Sequence, residues 1–289
     1  MESRIKVIEG DIVKNSTFGI SEQAIKELVK NITVIINSGA LVKHFGKQKE
    51  FEDINVKGTK NIIKFCQKYG KKLLHISTIS VSGNDKKDEI ENQSLFTEND
   101  LYIGQDFTNI YIATKFEAEI AVLEAIYDGL DAQVLRLGNI ANRYSDGGFQ
   151  RNVQDNGFAK RLKSFIEIGA FPGYLLEHEL EVTPVDLAAN SIIKILNHSS
   201  DCNMFHIVNT LLLSMPEFIH AANELGINII PVSNTLMNDI INGMLTNDNR
   251  KQAVSGIVQD LSKDRKLIYT SSVRPNHDFT ENYLKNCRF

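Results

Sequence analysis

Lys72-Leu73-Leu74-His75-Ile76-Ser77-Thr78-Ile79-Ser80-Val81-Ser82-Gly83 is an apolar run that ends in hydroxyls and a glycine. Lys72 to Ser77 lacks the apolar–polar alternation of a half-exposed strand. It reads as a strand buried on both faces of a parallel sheet. Its hydroxyls then fall at the carboxyl end of the strand, where open α/β sheets bind ligands. Outward from this stretch, short β-branched runs alternate with amphipathic ones. Ile5 to Ile8 reads as a strand. Ser21 to Lys30 reads as a helix, with Ser21 as N-cap and Ala24, Ile25, Leu28 and Val29 on one face. Thr33 to Asn37 is predicted as a further strand buried on both faces. A helix follows from about Phe51 to Tyr69, closed by Gly70, with a stripe of Ile54, Ile62, Phe65 and Cys66. Tyr111 to Tyr127 is a long helix with Gly129 just beyond it. Ala132 to Leu137 is another strand. The alternation predicts an α/β fold with a doubly wound parallel sheet.

After Gly138 the pattern changes. Residues 143–181 are mixed and loop-rich. A helix is predicted at Val185 to Leu196, a strand at Met204 to Val208, a helix at Pro216 to Leu225 and a strand at Ile227 to Val232. Helical pieces follow from Thr235. Asn84 to Glu91, the most charged stretch, reads as a solvated loop.

Of the 289 residues, 42% are hydrophobic and 24% charged, which fits a soluble chain with a sizeable core. The net charge of -4, with no basic stretch among aromatics, argues against a nucleic-acid partner. Cys66, Cys202 and Cys287 are odd in number and far apart, which predicts neither a disulfide framework nor a metal site and fits a cytoplasmic location. The first residues carry no signal-peptide core, and no uncharged apolar run reaches the roughly 18 residues of a membrane span.

The strongest chemical signal is Tyr111-Ile112-Ala113-Thr114-Lys115. Tyr and Lys four residues apart share a helix face. An ammonium beside a phenol favours the phenolate and would lower the Tyr111 pKa from its ordinary value of about 10. A phenol so tuned can act as general acid or base. Taken alone, the pair is an ordinary helix face. Its weight comes from following a hydroxyl-bearing strand end and an intervening loop.

That conjunction resembles the extended short-chain dehydrogenase/reductase family, whose triad is Ser or Thr, Tyr and Lys. The resemblance implies a Rossmann-like sheet, with Thr78 as the hydroxyl, Tyr111 as the acid/base and Lys115 as its partner. Ser77 and Ser80 are close alternatives; Thr78 is preferred because it stands five residues before Gly83. Glu9-Gly10-Asp11-Ile12 resembles the turn whose Asp11 and Ile12 border the adenine. Asn37-Ser38-Gly39-Ala40 resembles the small-residue turn close to the cofactor. Asn55-Val56-Lys57-Gly58-Thr59 resembles the helix motif that follows, and Gly138-Asn139-Ile140 the strand end near the nicotinamide. A narrower resemblance, to the thioester reductase branch, is carried by Ala40-Leu41-Val42-Lys43-His44, Thr97 to Leu101, Ile103-Gly104-Gln105, Tyr144 to Gly147 with Phe149-Gln150, and Thr183-Pro184-Val185-Asp186. It implies NADPH as cofactor, held by Asp11, Ile12, Asn37, Gly39, Ala40, Val42, Tyr111, Lys115, Gly138, Asn139 and Ile140. It also implies a phosphopantetheinyl carrier protein as partner and release of its acyl or peptidyl thioester as aldehyde or alcohol. His44 reads as a packing or capping residue. Residues 1–142 would form a truncated dinucleotide-binding core. Residues 143–289 would form mainly a smaller substrate lobe, with 185–210 returning to the core.

The family's opening strand, glycine-rich turn and helix are not found in this sequence. That turn cradles the pyrophosphate at a helix N-terminus. The expectation is therefore an impaired cofactor site, an unpaired segment at Ile5 to Ile8, and an exposed sheet edge that a homodimer could share. Two alternatives stand: a nucleotide-sugar epimerase or dehydratase with the same triad, and a non-catalytic fragment of a larger synthetase.

Overall fold

The computed structural model describes residues 5–42, 46–83, 94–107, 109–153, 156–177, 179–258, 261 and 273–287. His44 and the charged stretch 84–91 lie outside the described residues. In chain order, helix α1 (Glu22–Asn31) leads to strand β1 (Val34–Asn37). Helix α2 (Gln48–Phe51), a π-helical stretch (Glu52–Lys57) and helix α3 (Gly58–Tyr69) then lead to β2 (Lys72–Thr78). β3 (Ser94–Phe96), α4 (Ile110–Tyr127), β4 (Ala132–Leu137) and β5 (Ile140–Ala141) follow. The second half holds α5 (Gly157–Ile168), β6 (Ala170–Pro172), β7 (Glu179–Leu180), β8 (Thr183–Pro184), α6 (Val185–Asn197) and β9 (Met204–Ile207). β10 (Leu213–Ser214), α7 (Met215–Glu224), β11 (Ile230–Val232), α8 (Asn234–Leu245), β12 (Val273–Pro275) and α9 (Asp278–Asn286) complete it.

The core is a parallel sheet in the order β1-β2-β4-β9. Successive residues point to opposite faces. Leu73, Val134 and Met204 pack under α3 and α4 with Ile62, Cys66 and Val122. Leu74, Leu135 and Phe205 pack on the other face against Ala188 and Ile195 of α6 and against α9. Helices thus cover both faces, as the unbroken apolar runs require. A separate apolar cluster, with Phe165, Phe171, Leu175, Met237 and Ile257, joins α5, α7 and α8.

Local signals account for the helix ends. Ser21 caps α1 by accepting from Ala24 N–H, and Gly70 closes α3 at φ +60°. A capping box between Ser214 and Glu217 starts α7, a signal the sequence reading passed over. It also left out α5 and the pairing of β3 with β12.

The segment Ile5 to Ile8 is unpaired, as expected, but it forms no strand, and Ile5 and Val7 are 75% and 90% exposed. β-propensity needs a neighbouring strand to act on, and this segment has none. β1 is the exposed edge strand expected from the missing neighbour, but it is not buried on both faces: Ile36 is 43% exposed.

Helix α4 is fixed to the sheet by a fully buried ion pair. Arg136 of β4 donates through Nη2 to Glu119 (2.8 Å) and through Nε to both its carboxylate oxygens. Ser77 of β2 donates to the same carboxylate. Arg136 Nη1 donates to Asp100 O (2.9 Å) and lies 3.1 Å from His206 Nε2, and its guanidinium stands 4.6 Å over the Phe96 ring. Replacing Glu119 by Gln leaves a buried cation unpaired and should cost about 3–5 kcal/mol. Glu117→Gln, which loses only a surface contact with Lys60, should leave the urea midpoint in place. Equal shifts in the two variants would refute this anchoring role.

Candidate active site

The site lies where the carboxyl ends of β1, β2 and β4 meet the start of α4. Asn37 is in register with His75, and Thr78 with Leu137, so these strand ends share one edge of the sheet. Thr78 ends β2 in extended conformation and caps a 3₁₀ turn, Ile79–Ser82, by accepting from Ser80 N–H (3.2 Å). Gly83 leaves the turn at φ +62°, where a Cβ would stand 2.8 Å from Gln105. Buried Gln105 donates to Val81 O and Leu101 O and accepts from Ile103 N–H, which pins the following loop to this turn. Asn109 caps α4 through Tyr111 N–H and Ile112 N–H, and so sets where the first turn and its phenol begin.

Of the three candidate hydroxyls, Thr78 lies against the Tyr111 phenol. Ser77 is turned inward to Glu119, and Ser80 accepts from Thr78 (3.2 Å). Burial pushes the Tyr111 pKa up to about 12, and the Thr78 hydroxyl offsets part of that rise. This reverses the expected lowering by Lys115. The lysine instead reaches into the fold, donating from Nζ to Ile76 O (2.6 Å) and lying 3.5 Å from His75 Nε2. Burial lowers its pKa to about 8, against the opposing pull of Glu119.

The cofactor positions divide into two groups. Asn37 is buried and accepts from Gly39 N–H (3.3 Å), while Ala40 is half-buried and Val42 exposed. Asp11 accepts from Val13 N–H in its own turn. Ile12 accepts at its carbonyl from Asn61, and its side chain lies over Gly39 and Gly58. Gly138, Asn139 and Ile140 continue from β4 beside Glu181. The Glu181 carboxylate accepts from Asn139 N–H (2.5 Å), Asn209 N–H (3.0 Å) and the Thr183 hydroxyl. Thr78, Tyr111 and the partly exposed turn at 39–42 suit the reacting, ribose-bearing half of a nicotinamide dinucleotide. A pyrophosphate cradle of the G-x-G-x-x-G type does not occur among the 289 residues. Among the described residues no group of three His, Cys, Asp or Glu could hold a metal ion, and no helix is long and apolar enough to cross a membrane.

The sequence reading missed three contributors. His75 had a signal, because a polar residue inside an apolar strand needs a buried partner. Asn109 had one too, as a capping residue just before a helix. Glu181 had none, since its contacts arise only when distant strands meet.

An open cavity of about 440 Å³ shares Asn209 with the Glu181 contacts and is also lined by Asn142, Tyr144, Val182, Pro184 and Leu213.

The Lys115 position has a testable consequence for stability. Its folded pKa is depressed from 10.5 to about 8. Between those values the unfolded chain holds a proton that the folded chain has released, so this group makes stability rise with pH. Cys66, pushed up by burial to about 12, acts in the opposite sense above its ordinary value of 9.0. The urea midpoint of the natural chain should therefore gain on that of Lys115→Met as pH rises through this window. A constant difference would contradict the buried placement of Lys115.

Residues 1–192 match the NAD-binding family described as male sterility protein. A thiolation-reductase di-domain from an archaeal non-ribosomal peptide synthetase is 29% identical, with a TM-score of 0.76, covering 99% of this chain and 61% of that one. The terminal R domain of the myxalamid PKS-NRPS pathway is 23% identical, with a TM-score of 0.82, covering 98% of this chain and 70% of that one. Glycine betaine reductase ATRR of Emericella nidulans is 27% identical over 205 residues, which are 71% of this chain and 16% of that protein. This chain thus spans about a sixth of that relative's length. The chain belongs to the male sterility protein family of NAD-binding domains and has the Rossmann-like fold of the terminal reductase domains of peptide and polyketide synthetases.

Proposed function

We propose that this chain carries out the reductive release of an acyl or peptidyl thioester from a phosphopantetheinyl carrier protein, with NADPH as reductant and an aldehyde or alcohol as product. The observation that supports it most is the Thr78–Tyr111 contact at the end of β2, in a chain of the reductase fold.

NADPH, when bound, supplies the hydride. Lys115 and Tyr111 would hold the nicotinamide ribose. Asn37, Gly39, Ala40 and Val42 would border the cofactor, Gly138, Asn139 and Ile140 would flank the nicotinamide, and Asp11 and Ile12 would face the adenine. A phenol with a pKa of about 12 keeps its proton throughout the neutral range. Tyr111 is therefore a hydrogen-bond donor to the thioester carbonyl and a proton source for the oxyanion that develops there. Thr78 is the second donor. The cavity beside Asn142 and Asn209 offers amide groups and apolar walls suited to a pantetheine arm. The exposed β1 edge is where a second copy would pair.

With no glycine-rich cradle in the sequence, NADPH affinity and turnover by this chain alone are expected to be low. Calorimetric titration with NADPH, followed by single-turnover reduction of an acyl-pantetheine thioester, tests the proposal. Tyr111→Phe should slow reduction by about 100-fold or more, with the apparent melting temperature unchanged. Thr78→Ala should slow it by about 10- to 100-fold. Turnover of a nucleotide sugar in place of the thioester would overturn the assignment in favour of an epimerase or dehydratase. Reduction indifferent to Tyr111→Phe would remove the phenol from the chemistry.

A further inference from the structure

A buried chain of hydrogen bonds runs from the start of α3 to Lys115, and the direction of each link is fixed. The Thr59 hydroxyl has one proton and donates it to Asn55 O (2.7 Å). Its lone pair is then free to accept from Asn37 Nδ2 (3.3 Å). Asn37 Oδ1 accepts from Gly39 N–H (3.3 Å). Turning the Asn37 amide over would set Nδ2 against the Gly39 N–H and Oδ1 against the Thr59 lone pair, losing both bonds. The second Nδ2 proton therefore points at His75 Nδ1, 3.1 Å away. His75 Nδ1 accepts, so the neutral imidazole carries its proton on Nε2. That Nε2–H faces Lys115 Nζ at 3.5 Å. Asn37, Thr59, His75 and Lys115 are each at most 4% exposed, so water cannot relieve a mismatch there.

We propose that His75 is a positioning residue for Lys115. Locked by Asn37 as the Nε2–H tautomer, it presents a donor to Nζ, and so favours the amine over the ammonium. An amine has a lone pair to accept that proton; an ammonium has only donors to set against it. The bond from Nζ to Ile76 O is available to both forms, so of these two contacts the one with His75 separates them. This inference rests on the reading of Lys115 as part of the reductive site and says what governs its proton.

Other groups around Nζ do not supply this bias. Glu119, on the same helix, favours the ammonium, and its charge is itself engaged by Arg136 of β4. Asn55 and Thr59, on the π-helical stretch and α3, are uncharged, and the Lys60–Glu117 pair lies at the surface. Tyr111 stays a neutral phenol. Burial and the nearby Lys115 hold the His75 pKa well below its ordinary value, which keeps the imidazole neutral. Lys115 itself is brought down to about 8, near enough to neutrality to exchange its proton between turnovers.

The test is NMR of the full chain labelled with ¹⁵N-histidine and with ¹³C,¹⁵N-lysine, the two signals being identified by their loss in His75→Gln and Lys115→Met. The natural chain should show a bare Nδ1 and a protonated Nε2 on His75, constant across the neutral range. In His75→Gln the side-chain oxygen is free to face Nζ, and the proton affinity of Lys115 should rise about tenfold or more. Asn37→Asp provides a second route should the first variant fail to fold. A carboxylate has no proton to give, so it should draw the imidazole proton to Nδ1 and invert the His75 signature. A protonated Nδ1 in the natural chain, or an unmoved Lys115 midpoint in a folded His75→Gln, would overturn the proposal. Neither readout needs substrate. Turnover of a nucleotide sugar in place of the thioester, with both signatures in place, would sink the functional reading and leave this one standing.

Discussion

The buried Arg136–Glu119 pair sets the position of α4 on the sheet, and almost everything at the site hangs from α4. Taking two charges out of water is costly, and the pair is tolerable only because its hydrogen-bonding capacity is filled. Glu119 accepts from Arg136 and Ser77, and Arg136 also reaches Asp100 O and His206. His206 in turn lies 2.6 Å, through Nδ1, from Asn276 O, and its backbone N–H donates to the Thr280 hydroxyl oxygen. Thr280 donates from N–H and hydroxyl to Glu98. One polar network thus ties β2, β4, β9, α4, the loop after β3 and the C-terminal helix together. A helix placed by such directional contacts has less freedom to slide than one held by apolar packing alone.

The same saturation occurs nearer the start of α4, at Thr114. Asn55 bridges the turn after β1 and Thr114, donating to the Thr114 hydroxyl and accepting from Leu41 N–H. Thr114 then returns its proton to the carbonyls of Ile110 and Tyr111 in the first turn. The π-helical stretch at Glu52–Lys57 is the local irregularity that carries Asn55 into the core. Tyr111 and Lys115 therefore sit between two saturated networks. Their burial and the groups packed around them, rather than their mutual charge, set their proton affinities. The phenol is driven towards a firm donor and the lysine towards a labile one.

Most of the architecture was legible in the sequence, because it follows from local patterns. Ser21 before an amphipathic run, Gly70 after one, and unbroken apolar stretches at 72–77 and 132–137 each describe elements that depend on neighbours close in sequence. The places of Thr78 at a strand end and of Tyr111 and Lys115 on one helix were legible for the same reason, since each follows from a local pattern. The lack of a strand at Ile5–Ile8 and the exposure of Ile36 on one face of β1 were not, because a strand's standing depends on what lies beside it in the sheet.

The sequence by itself determined the alternation of elements, the apolar faces that stack into a doubly wound sheet, and the residue types able to do acid–base chemistry. Only the tertiary structure decided how those groups are tuned. An isolated YxxxK helix turn would bring Lys115 towards the phenol and lower its pKa. In the folded chain the lysine is drawn instead to Ile76 O and His75, and the phenol is left against Thr78. The reason is physical: desolvation and hydrogen-bond direction depend on every group packed around a site. Asn37, His75 and Lys115, drawn from two strands and a helix, become neighbours only when the sheet and helix close over them.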